Sequence, residues 1–435
     1  MDPEQVDSIL DEANRLLNAG QPEESLRCLE QLEQEALGED DRVEYGALRA
    51  YALGELGRVA EALALLEPLL EEFPKSARLL GALGVVLSGA NELEQACEAL
   101  QAAIALDGED ETLLANLALV REKLHDYDAA IELYDRALEL GADLDWVLVR
   151  KAAALTEAGD TEAAKVMLKR YLSLVPDDAE QLVALAILYS DDEQYEQAYA
   201  AYREAEQIDR DSSGLRLNWG VTAVRAGDLD QARAQLEHLE RLESGSARPL
   251  LLRAFICEEE HELAAARRCY ADALARVQPS NTEELVYALE MAMDFSARNG
   301  MRANCEKLMR RAYAANACTA ELCEPYREVN GELLADGYWF SMVVEADFRL
   351  GLFAVHESGP DGAGRPRRYQ RRFQVIARNH DEAIDMVTRF AQRAGERHVV
   401  VREFLREEKI QDLYSGVYEI DAESYVLRSA PEQPH

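Results

Sequence analysis

The sequence predicts an all-α solenoid of helix-turn-helix repeats followed by a small α+β domain with the order β-β-α-β-β. Three observations carry this. Small and bulky residues recur every 34 positions through most of the chain. The apolar period changes from 3.6 to 2 near Tyr338. Charge changes at the same place: residues 1–335 hold 32 Lys or Arg against 67 Asp or Glu, whereas residues 336–435 hold 14 against 17.

The repeat is read from spacing alone. Ala62, Ala96, Ala130, Ala164, Ala198, Ala232 and Ala266 share one register, and Ala50, Gly84, Ala118, Ala152, Ala186, Gly220 and Ala254 are uniformly small in another. Leu66, Leu100, Tyr134, Leu168, Tyr202, Leu236 and Tyr270 are uniformly bulky, so each unit offers small places to large neighbours from the adjoining helix. Gly57, Gly159 and Gly227 sit where a helix must close through a left-handed residue. Units therefore start at 43, 77, 111, 145, 179, 213 and 247. Gly20, Ser25 and Leu29 keep a looser unit from about residue 6, and Gly300, Cys305, Met309 and Ala312 keep another from about residue 286. Residues 320–335 read as a capping helix, giving an array over 1–335 and a second domain over 336–430.

With Pro74 and Pro176 near unit ends, the pattern resembles the tetratricopeptide repeat over about residues 6–319. The resemblance implies a right-handed superhelical solenoid in which the first helix of each unit lines a concave groove. Carried over residue by residue, the lining is Ala47, Tyr51, Gly81, Val85, Ala115, Leu119, Val149, Ala153, Val183, Ile187, Leu217, Val221, Leu251 and Phe255. Packing between helices is the competing reading, because core and groove differ by a small rotation. Asn116 and Asn218 fall where some members of the family bind ligand backbone. The cations of a carboxylate clamp are missing from most of these places, although Arg78, Lys123 and Arg225 lie nearby. An apolar floor rimmed by Glu55, Glu122, Glu157, Asp191, Glu258 and Glu259 instead suits a protein segment that is apolar on one side and basic on the other.

Composition agrees with a helix-rich protein: 48% of residues are hydrophobic and only 7% aromatic. A formal charge of −38 favours basic partners and disfavours nucleic acid or an anionic membrane. The acidic start lacks a secretory pattern and no apolar run is long enough to span a bilayer, so a cytoplasmic location is expected. Seven cysteines without a CxxC pair read as reduced structural thiols, and the seven histidines lack ligand spacing. No phosphate loop, HExxH or nucleophile motif is present, so no cofactor, metal or catalytic residue is expected.

In the last hundred residues, strands are expected over 338–348, 368–378, 398–404 and 416–420, the last continuing toward Leu427. A Gly- and Pro-rich loop covers 356–366, and a helix runs from Asn379 or His380 to about Ala394. Arg365, Arg367, Arg368, Arg371 and Arg372 crowd into eight residues. They read as a solvated strand edge or a contact with the acidic array, with a protein or small anionic ligand as the alternative. Glu345 and Asp347 share one side of the first strand and could hold a cation, but a wet strand face explains them with no third ligand. The expected function is a non-catalytic protein-interaction scaffold or adaptor, with a chaperone or assembly factor as its specific form. The alternative is a repeat-targeted effector or small-ligand sensor acting through the C-terminal domain.

Overall fold

The computed structural model describes residues 3–32, 37–108, 110–141, 145–278, 281–315, 317–331, 333–334, 336–348, 367–393, 397–410 and 413–421. The chain divides into two compact units, Met1–Arg210 and Asp211–His435. The first contains six helical pairs: α1 (Pro3–Asn18) and α2 (Pro22–Leu29), α3 (Glu39–Glu55) and α4 (Val59–Glu72), α5 (Ala77–Gly89) and α6 (Leu93–Asp107), α7 (Glu111–Lys123) and α8 (Tyr127–Glu139), α9 (Asp145–Glu157) and α10 (Thr161–Leu174), α11 (Ala179–Asp191) and α12 (Tyr195–Ile208). The second continues with α13 (Ser213–Arg225), α14 (Leu229–Leu242), α15 (Arg248–Glu259), α16 (Leu263–Arg276), α17 (Thr282–Arg298), α18 (Arg302–Ala314) and α19 (Ala320–Asn330).

Local chemistry sets these boundaries. Asp110 Oδ1 accepts from the amides of Thr112 and Leu113 at 2.9 and 3.0 Å, and Asp178 and Asp228 cap α11 and α14 in the same way. At the other end, every turn between the paired helices from α3 to α16 places one residue in the left-handed region, at 57, 91, 125, 159, 193, 227 and 261. Three of these are the expected glycines; the others are Asn91, His125, Glu193 and His261, with φ between 58° and 63°. The geometry is imposed by the chain's own bonds: the amide of the next residue reaches back to the helix, as Gln194 N does to Tyr189 O at 2.8 Å. Glu193 thus carries a conformation that favours glycine. Glu193→Gly is expected to raise stability by about 0.5–1 kcal/mol, read as a higher thermal midpoint with unchanged helicity.

The small register is filled as the spacing predicts, with one variation. A Cβ on Gly84 would lie 2.5 Å from Leu100 Cγ, so the bulky residue of the same unit occupies the missing side chain's space. At Gly220 the occupant is Leu252, from the first helix of the next unit, whose Cδ2 is 2.5 Å from that point. Ala62, Ala96, Ala130 and Ala164 are fully buried in the first unit, as are Ala232 and Ala266 in the second.

The second unit ends in an α+β layer made of β1 (Leu333–Leu334), β2 (Gly337–Phe348), β3 (Arg367–Ala377), α20 (His380–Arg393), β4 (Arg397–Ile410), β5 (Leu413–Tyr414) and β6 (Gly416–Asp421). Four strands form an antiparallel sheet in the order β4-β2-β3-β6, and β1 pairs separately with β5. Phe340, Met342 and Val344 are buried in β2, in step with the alternation of the sequence. Asn379 Oδ1 accepts from Glu382 N at 3.0 Å while Glu382 Oε2 accepts from Arg378 N at 2.8 Å, a reciprocal cap that starts α20.

One reading of this layer changes. The third long strand runs to Ile410 rather than stopping at Phe404; it is a sheet edge, where charges such as Arg406 and Lys409 are tolerated, and those charges concealed it. The strand carrying the arginines pairs with β2 along its length and with β6 only from Arg372 to Ile376, so among the described residues Arg372 alone of the cluster has a strand on both sides. The 356–366 loop and the continuation past Asp421 lie outside the described residues. One hydrophobic core extends from Ala247 through Tyr270, Phe295 and Tyr313 to Phe373 and Val417, so the last helices and the sheet bury their apolar faces together.

Candidate protein-binding face

First helices pack on first helices. In the first unit α1 lies against α3, α3 against α5, α5 against α7 and α7 against α9; in the second, α13 lies against α15. Among the described residues no two successive second helices pack this closely. Over α1–α9 in the first unit and for α13 and α15 in the second, the first helices are therefore the more closely spaced row.

Burial sorts the expected lining into two sets. Ala47, Ala115 and Leu251 are fully buried, Leu217 is nearly so, and a side chain on Gly81 would come within 2.7 Å of Leu113 Cδ2. These positions face the core. One turn further along each helix, Tyr51, Val85, Leu119, Ala153 and Ile187 in the first unit and Val221 and Phe255 in the second are all half-buried, so each offers part of its surface. Val149, Val183, Asn116 and Asn218 are half-buried as well. Phe255 is held edge-on against the Tyr270 ring at 6.2 Å.

The rim is less open than the sequence implies. Glu55, Glu157, Asp191 and Glu259 are exposed, but Glu122 and Glu258 are engaged inside the array. Tyr134 Oη donates to Glu122 Oε2 at 2.9 Å and Arg150 Nε donates to the same oxygen at 3.2 Å, joining three helices. Glu258 repeats the device with the Tyr270 hydroxyl and with Arg298, whose Nη2 is 3.0 Å from Oε2. A signal for it existed: Tyr134 and Tyr270 each have a Glu twelve residues earlier, whereas Leu66, Leu100, Leu168 and Leu236 have Gly54, Ser88, Thr156 and Val224 there. Nearby cations are also occupied. Arg78 pairs with Glu44, and Lys123 Nζ donates to Ser88 O at 2.9 Å.

Spacing held one further row. Leu106, Leu140, Leu174 and Ile208, again 34 apart at or beside the ends of second helices in the first unit, are 40–57% exposed. The second helices that carry them do not pack closely on one another, and apolar residues exposed singly are ordinary on a protein surface.

Burial pushes the carboxyls of Glu44, Glu55, Glu258 and Glu290 above the usual range. Hydrogen bonds from Arg58 and Lys165 hold Glu61 and Asp192 below it. The raised carboxyls cost stability while ionised, and this cost disappears as pH falls from their folded pKa toward the unfolded value near ~4.5. Only below that window do the depressed carboxyls lose their contribution. Reduced self-repulsion of a chain at −38 acts in the same direction. The thermal midpoint is expected to be higher at about pH 5.5 than at about pH 7.5, read by calorimetry.

Among the described residues no group of three or more His, Cys, Asp or Glu is placed to hold a metal ion. The side chains of Glu345 and Asp347 and of Arg367, Arg368 and Arg371 lie outside the described residues, as does Arg365 altogether; Arg372 is exposed. By register Asp347 stands opposite Arg368. All seven cysteines are free thiols, and all but the half-buried Cys269 are buried.

The family described as Psidin, N-terminal TPR repeats region, matches residues 123–250, and that described as Tetratricopeptide repeat matches residues 55–119. The chain is a tetratricopeptide-repeat protein. Solved structures similar to it include pilF of Pseudomonas aeruginosa, 22% identical over 50% of this chain and 99% of that one, with a TM-score of 0.44. MamA from Desulfovibrio magneticus RS-1 is 23% identical over 39% of this chain and 95% of its own, with a TM-score of 0.37. The APC/C hetero-tetramer Cut9-Hcn1 is 16% identical over 66% and 57%, with a TM-score of 0.47. No curated protein matches the chain. Tetratricopeptide repeats form protein-interaction scaffolds, and the helical array of this chain is one. Among the described residues no helix is long and apolar enough to cross a membrane.

Proposed function

We propose that the first-helix row of the tetratricopeptide repeats holds a protein segment that is apolar on one side and basic on the other, without catalysing a reaction on it. Residues 1–335 are the binding array in this reading, and residues 336–430 close its end. The observation that carries it is the single register of Tyr51, Val85, Leu119, Ala153 and Ile187, each half-buried, the first four of them on the closely spaced row α3–α9. Exposed Glu55 and Glu157 beside that row supply the complementary charge. A cytoplasmic adaptor is the setting that suits seven free thiols, and a chaperone or assembly factor is its specific form.

A helical peptide with one leucine face and one lysine face is the probe. It should bind the full chain in fluorescence anisotropy and weaken with added salt. Leu119→Ser with Ile187→Ser removes two partly available apolar contacts and is expected to weaken binding by about 2 kcal/mol, roughly thirtyfold, with helicity retained. Equal affinity in the double variant would refute this use of the face.

A further inference from the structure

A cavity of about 370 Å³ opens in the second unit where α18, α19, α20 and β6 meet. None of its lining residues belongs to the expected groove lining, and it has a different character. Tyr313 and Phe390 form its aromatic wall, with ring centroids 5.3 Å apart, and Phe373 stands 6.2 Å behind both. Met386, half-buried at the cavity, adds polarizable surface that adapts to a flat guest. The charge is the unexpected part. In a chain of net charge −38 the lining holds three arginines, Arg310, Arg327 and Arg389, against one carboxylate, Glu306.

We infer that this cavity binds a small organic acid with a flat apolar body, an aromatic carboxylate being the class that fits. Its volume is at the lower end of small-molecule sites and far above the voids that close packing leaves in a core. Arg327 is buried and already oriented, with Nη1 donating to Val417 O at 3.3 Å, so ordering it costs a ligand little. Arg310 and Arg389 are more than half exposed and are paired with Glu306 and Asp385 one turn away on their own helices. Such pairs contribute only about 0.3–0.5 kcal/mol, so either guanidinium can exchange its partner for a ligand carboxylate that it grips with two parallel bonds. The aromatic body would stack on Phe390, which keeps part of its ring surface while the fully buried Tyr313 backs it from inside the core.

The test is calorimetric titration of the full chain with 2-naphthoate, with 2-naphthalenemethanol as the uncharged counterpart. Saturable 1:1 binding of the acid is expected, with the alcohol at least about tenfold weaker. Arg310→Gln with Arg389→Gln should weaken the acid about tenfold without lowering the thermal midpoint, and Met386→Trp should abolish binding by filling the space. Arg15→Gln, on the exposed surface of the first unit, should change nothing. Absence of saturable binding, equal binding of acid and alcohol, or full affinity in both the double arginine variant and Met386→Trp would overturn the assignment. Arg327→Gln is an added arm; if it fails to fold, the exposed pair and the filled cavity still decide.

Discussion

Leu251→Glu is expected to abolish the cooperative unfolding transition of residues 211–435. Leu251 is fully buried in the core that includes Tyr270, Phe295 and the sheet residues Phe340 and Phe373. A carboxyl forced into such a place shifts its pKa by some 3–5 units and takes up a proton at neutral pH, a cost of ~3.5 kcal/mol. Losing the leucine's own burial adds about 2 kcal/mol. The sum reaches the lower end of the stability of an ordinary domain, about 5–15 kcal/mol. Val221→Glu, on a half-buried position of α13, should leave the transition in place, because its carboxylate can turn to water. Circular dichroism and thermal melts of the two variants make the comparison, and a folded Leu251→Glu protein would mean that the burial assigned here is wrong.

Phe295→Ala is expected to cost about 3–5 kcal/mol, the usual range for deleting a large buried aromatic. Its ring is almost fully buried on α17 and lies 5.2 Å from that of Tyr270, whose hydroxyl serves Glu258. Removing it leaves a void against a polar link that cannot relax without uncovering the Tyr270 hydroxyl. Denaturant titration should show the midpoint fall with the slope unchanged. A loss under about 1 kcal/mol would mean that the surrounding helices collapse into the space.

The helical part of the fold was legible because a period of 34 constrains every unit at once. The expected starts at 77, 111, 145, 179 and 213 coincide with α5, α7, α9, α11 and α13, whereas α3 and α17 begin four residues earlier than expected, at Glu39 and Thr282. Those helices gain an extra turn where acidic residues suit a helix N-terminus, which spacing inside the repeat cannot reveal. The face was harder. Positions such as Ala115 and Leu119 are four residues and roughly 40° apart around a helix, so both look apolar in sequence while only one reaches the surface. Neither the short pairing of β1 with β5 nor the cavity could be foreseen. The cavity joins side chains near 310, 327, 388 and 416 that have no common spacing and meet only through tertiary packing.

The most direct test of the central claim is methyl nuclear magnetic resonance of the full chain as the leucine-lysine peptide is added. Shift changes concentrated on Val85, Leu119 and Ile187 are expected, with Leu106, Leu140, Leu174 and Ile208 unmoved. Changes confined to that second, more exposed row would contradict the account and place the binding face on the second helices.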